Sequence, residues 1–165
     1  MKRLNVKDSR MYSLIFLYDM HTDFFSRVTA GISDKDAHNR LNTKANHVAW
    51  LTGSLVQERY ELANVFGIGS KQKADDLFKD HKGIQDHITY PSLAQFKNDW
   101  DTISPALKNA LADIDETQLD KPFPIPDMVM PYYDLIAFMI YREANCIGQI
   151  ALWRRLMGYE AMKYM

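Results

Sequence analysis

A chain of 165 residues, 47% apolar and 25% charged, supports one globular domain over residues 1–165 with a core of its own. Its formal net charge of −1 excludes the basic surface of a nucleic-acid binder and the polybasic patch that draws a protein to an anionic membrane. Its single cysteine, Cys146, excludes an internal disulfide, and no run approaches the roughly 20 apolar residues of a membrane span.

The first element is an amphipathic helix from about Asp8 to Ala30. Met11, Leu14, Ile15, Tyr18, Phe25 and Val28, then Ile32, recur at threes and fours. Asp8 or Ser9 is the candidate cap, and Gly31 is the residue that ends it. Ser33 has the chemistry of the next N-cap, and a second helix is expected from Asp34 to Phe66, closed by Gly67. Its seam is Ala37, Leu41, Ala45, Val48, Leu51, Leu55, Leu62 and Phe66, and His47, Leu51, Ser54 and Glu58 fall within about 60° on one face. Residues 68–90 break the period. One or two helical turns are expected between Lys71 and Lys79, inside a long crossover. His81 and His87 flank a loop glycine there, and the plain reading is solvated loop.

Ser92, with Gln95 three residues on, opens the third helix, whose seam runs through Leu93, Phe96, Trp100, Ile103, Leu107, Leu111 and Ile114. Pro105 falls inside it, so a kink or a restart after Ser104 is expected. Residues 116–131 hold Pro122, Pro124, Pro126 and Pro131, which points to an extended connection without helix. The fourth helix runs from about Pro131, a suitable N1 residue, to Met157, and Gly158 ends it. On it Arg142, Cys146, Gln149 and Trp153 lie within about 60° of one another. Four long helices make the fold class all-α, a four-helix bundle with the crossover between helices two and three.

The run Arg142-Glu143-Ala144-Asn145-Cys146-Ile147-Gly148-Gln149-Ile150, followed by Arg154-Arg155-Leu156-Met157-Gly158, resembles the last helix of the DinB-like (YfiT-like) family. That family shows His-x-x-x-His-x-Gly-Gln-[Ile/Leu] there, then an Arg-rich turn and a glycine. Ala49-Trp50-Leu51-Thr52-Gly53-Ser54-Leu55 resembles its Trp-x-x-Gly-His-Leu segment. The resemblance implies a left-handed bundle, often a homodimer, with a divalent metal on three histidines. Activities in the wider family include metal-dependent transfer of small thiols and thiol-assisted isomerisation. Here the three ligand positions map to Ser54, Arg142 and Cys146, and none is histidine. Serine is a poor ligand for zinc or nickel, and a protonated guanidinium repels the ion. The expectation is a degenerate metal site with no cofactor.

Arg142 and Cys146, at i and i+4, admit two readings. One is a thiolate whose pKa is lowered by the cation, fit for thiol or group transfer. The plainer one is a buried inert cysteine beside an arginine paired with Glu58 or Glu143. His47 is a candidate base or displaced metal ligand, with a satisfied histidine as the plain reading. Gln149 is expected to hydrogen-bond inside the bundle or across a dimer seam, and Trp50 is a pocket or core aromatic. The leading functional expectation is a metal-free DinB-like protein that binds a small molecule in the bundle cleft or acts through a homodimer. The seam of that dimer is placed on helices one and four. The competing class is a transferase using Cys146, or a zinc or nickel site built around His47 and Cys146. The N-terminus lacks the apolar core of a signal peptide, and a cytoplasmic location without nucleic-acid or membrane partners is expected.

Overall fold

A computed structural model describes residues 5–125 and 128–165. They are mostly helical, with one two-stranded antiparallel sheet, and the all-α expectation holds at that level. Among the described residues no helix is long and apolar enough to cross a membrane.

Helix α1 spans Met11–Thr29, and Gly31 leaves it with φ 75°, a left-handed value that a side chain would oppose. Ser33 caps α2 (Asp34–Ala37) as expected, its Oγ accepting from the Asp36 N–H at 3.1 Å. The single helix expected over 34–66 is not found. Leu41 and Asn42 take left-handed φ of 46° and 58°. The Asn39 and Thr43 side chains accept from the backbone N–H of Leu41 and Ala45, which draws the chain into local turns instead of a helix. Helix α3 (Val48–Val65) starts afresh behind His47, whose ring Nδ1 accepts from the Trp50 N–H at 3.1 Å, and Gly67 (φ 82°) follows its end.

The crossover carries α4 (Asp75–Phe78) and a 3-10 turn over Lys79–His81, within the stretch where short helical turns were expected. Ser92 caps α5 (Leu93–Asp113) by accepting from the Gln95 N–H. The expected restart at Pro105 does not occur, and the helix continues through it. Pro105 is exposed, so the carbonyl that loses its partner is on the solvent side. One helical turn, α6 (Glu116–Leu119), corrects the expectation of an entirely helix-free connection. Asp115 and Gln118 form a reciprocal capping box there, ahead of the prolines. The prolines then fall in β1 (Pro122–Ile125) and at the end of β2 (Met128–Pro131), paired antiparallel with Phe123 opposite Met130, while Pro126 lies outside the described residues. Helix α7 is Tyr132–Leu156, with Pro131 at the cap rather than at N1 and Gly158 at φ 83°.

The four long helices close a ring in which α1 touches α5 and α7, and α3 touches the same two. Side-chain contacts set the directions. His21 meets Glu143 and Arg154 meets Val28, so α1 and α7 run parallel. Asn46 meets Trp153 and Phe66 meets Tyr132, so α3 runs against α7. Arg154 is buried and donates to the Val28 and Ala30 carbonyls, closing the C-terminal end of α1 rather than merely complementing its own helix dipole. The core centres on Trp100 stacked on Phe25, with centroids 4.2 Å apart. Nearly every residue of α3 from Val48 to Ala63 is buried, because α5, α7 and the crossover cover it on different sides. Gly53 is what lets Phe78 of the crossover and Phe96 of α5 come close: a Cβ there would lie 2.7 Å from Phe96 Cζ and nearer still to Phe78.

Candidate functional site

Helices α3 and α7 each carry two adjacent charges, Glu58-Arg59 on one and Arg142-Glu143 on the other. Because the helices are antiparallel, the charges pair crosswise. Arg59 meets Glu143 inside the core, and Glu58 meets Arg142 at the rim.

The inner pair is fully engaged. Arg59 Nε donates to Glu143 Oε1 at 2.6 Å and Nη2 to Oε2 at 3.0 Å, a bidentate fork. Nη1 donates to Thr22 Oγ1 and Ser104 Oγ, and the guanidinium plane stands 3.8 Å from the Tyr18 ring centroid and 3.4 Å from that of Trp100. His21 Nδ1 lies 3.2 Å from Glu143 Oε2. Burial opposes ionisation of Glu143, but the Arg59 charge and the hydrogen bonds from His21 and Arg59 outweigh it and hold the carboxyl below its ordinary value. This network ties all four long helices together. Sequence reasoning missed Arg59 and His21. The available signal was a charged residue at the spacing of the apolar seam, four after Leu55 and three before Leu62.

The outer pair borders a cavity of about 410 Å3 between α3, α7, the crossover and β1. Its walls include Trp50, Phe78, Phe123, Leu135, Phe138 and Met139, and its polar lining includes Ser54, Gln57, Glu58, Glu61 and Arg142. Glu58 is only 5% exposed. Arg142 Nη2 comes within 2.7 Å of Glu58 Oε1, a pairing expected of Arg142 with Glu58 or Glu143, but too poorly aligned to complete a hydrogen bond. Among the described residues Oε2 has no partner, and neither does the buried Nε1 of Trp50. Burial pushes the Glu58 carboxyl up from 4.5 to about 7, with Arg142 opposing and Glu143 and Glu61 adding to the rise.

The other expected site residues separate. Ser54 is buried and lines the cavity. Cys146 is buried and borders a shallower groove shared with Trp50, Leu51, Arg142 and Gln149. Burial, then the Glu58 charge, pushes its thiol to about 11, a shift opposite in direction to the thiolate reading. Gln149 does not point inward. It is exposed and donates to Asn145 Oδ1, and the reason is angular: the buried face of α7, Ile136, Glu143, Ile147 and Ile150, is centred roughly 100° from Arg142, so the predicted polar face is the rim of the cleft. His47 lines neither cavity. It caps α3, packs against His38 and Tyr90, and burial with the His38 charge lowers its pKa to about 4. His81 is exposed at the cavity edge and His87 is exposed in the loop. Among the described residues, no three His, Cys, Asp or Glu side chains converge as a metal-binding group. Ser54, Arg142 and Cys146 suit a divalent cation poorly, since they offer a hydroxyl, a guanidinium and a protonated thiol.

No family model matches the chain, and no curated protein matches it.

Proposed function

We propose that the chain is a four-helix bundle of the DinB-like kind that dispenses with the divalent metal and binds a small organic ligand in the cleft between α3 and α7. The observation that carries the ligand reading is the largely apolar cavity of about 410 Å3 lined by Trp50 and Glu58, whose Nε1 and Oε2 have no partner among the described residues. A cavity of this size with a few convergent polar groups is the usual form of a small-molecule site. The ring of four helices and the crossover between α3 and α5 support the bundle reading. The metal-free reading is supported by Arg142, a positive charge tied to Glu58 where the resemblance places a histidine. A homodimer through α1 and α7 has less support, because exposed Tyr12, Phe16 and Leu17 lie in the N-terminal half of α1 and exposed Leu152 and Leu156 at the C-terminal end of the parallel α7, two separate patches. Transfer chemistry at Cys146 has less support, because its thiol is buried and held protonated.

The test uses N-phenyl-1-naphthylamine, an uncharged dye that brightens in apolar cavities. The expected result is saturable, equimolar enhancement with the native chain and its loss in Met139→Trp, which fills the cavity. No enhancement by the native chain overturns the ligand reading. Stoichiometric zinc or nickel in the purified protein overturns the metal-free one.

A further inference from the structure

The deep end of this cavity is specific about charge. Glu58 is 95% enclosed, yet among the described residues one carboxylate oxygen meets no donor and the other meets Arg142 only at a poor angle. An ionised carboxylate accepts from several donors, and burying it without them is costly. The side chain of Arg142 is 38% exposed, so water reaches its remaining N–H groups. The unmet demand at depth is therefore the carboxylate's. One turn further along α3, Glu61 adds a second acid to the same wall, with one oxygen accepting from Gln57 Nε2. The aromatic rings of Trp50, Phe78, Phe123 and Phe138 line the space in front. Their electron-rich faces favour a cation. The basic side chains on the described lining are Arg142, already paired with Glu58, Lys82, an exposed residue whose Nζ donates to the Asp76 carbonyl, and His81, exposed at the cavity edge.

We propose that the ligand of this cavity is an organic amine, bound as its ammonium beside the acidic wall of Glu58 and Glu61, with an apolar or aromatic body lying between α3 and α7. This rests on the cavity being a ligand site at all.

Three compounds on one scaffold test the charge: 3-phenylpropylamine, 3-phenylpropan-1-ol and 3-phenylpropionate, each competed against N-phenyl-1-naphthylamine at neutral pH. The amine is expected to bind at least about tenfold more tightly than the alcohol, and the carboxylate most weakly. Glu58→Gln keeps the shape and removes the charge. It is expected to erase the amine's advantage over the alcohol. Glu61→Gln is expected to lower amine affinity by only about two- to threefold, as a more distant and more solvated charge. A carboxylate that binds best, or an amine advantage that survives Glu58→Gln, overturns the assignment while dye binding keeps the cavity reading intact. If neither the dye nor any of the three binds the native chain, both readings fall.

Discussion

The two ion pairs between α3 and α7 are built from neighbouring residues in the same two helices, yet they are opposites. Arg59 and Glu143 are 1% and 4% exposed, and the guanidinium is held by a bidentate fork, two hydroxyls and two aromatic faces. Glu58 is almost as buried, but it has a single poorly aligned donor and faces an open cavity. Burial of charge alone does not separate a structural group from a functional one. What separates them is whether the protein itself supplies the missing partners.

The largest effect belongs to the satisfied pair. Glu143→Gln keeps the shape but leaves Arg59 buried without its counter-charge, and is expected to cost about 3–5 kcal/mol in urea unfolding. Replacing both partners, Arg59→Met with Glu143→Leu, is expected to recover part of that loss because no orphan charge remains. A cost below about 1 kcal/mol for Glu143→Gln removes the network from the list of what holds these helices together.

The next effect is a pH dependence of the unsatisfied pair. The Glu58 carboxyl titrates near 7 in the folded chain and at its ordinary 4.5 when unfolded. The folded state therefore holds an extra proton between those values, so this group's contribution favours folding below pH 4.5 and is lost as pH rises to 7. At about 1.4 kcal/mol per pH unit, the loss is about 3 kcal/mol. His47 works in the opposite sense within an overlapping window: its pKa falls from 6.5 to about 4, so its contribution is lost as pH drops from 6.5. Raw stability curves blend the two. The difference between the native chain and Glu58→Gln cancels His47 and is expected to fall by about 3 kcal/mol from pH 4.5 to pH 7. A flat difference shows that Glu58 is solvated after all.

The outer pair was legible in the sequence and the inner pair was not, for physical reasons. Ser54, Glu58 and Arg142 share faces that helical spacing alone reveals, and Ser92, Gly31 and Gly158 mark helix ends by chemistry that acts locally. The partnership of Arg59 with Glu143, His21 and Ser104 depends on which helices are neighbours and how they are rotated, and spacing within one helix carries none of that. Rotation also explains Gln149, which shares the stripe of Cys146 and Trp153 but falls on its solvent edge. The break before α3 was hidden because Asn39 to Ala45 keeps a plausible apolar period. Side-chain-to-backbone hydrogen bonds and a histidine cap, an uncommon one, decide the matter instead.

The smallest effect draws the comparison most finely. A double-mutant cycle on Glu58→Gln and Arg142→Met isolates the coupling within the outer pair. The atoms are as close as those of the inner pair, 2.7 Å against 2.6 Å, so distance alone predicts similar coupling. Alignment and solvent predict otherwise. Arg142 keeps 38% of its side chain in water, which screens its charge and lets it leave the pair at little cost. The expected coupling is about 1 kcal/mol or less, falling further as salt is raised. A coupling of about 3 kcal/mol or more makes Arg142 a committed partner of Glu58. The carboxylate would then have its cation already, and the cavity would have no charge left to offer an amine.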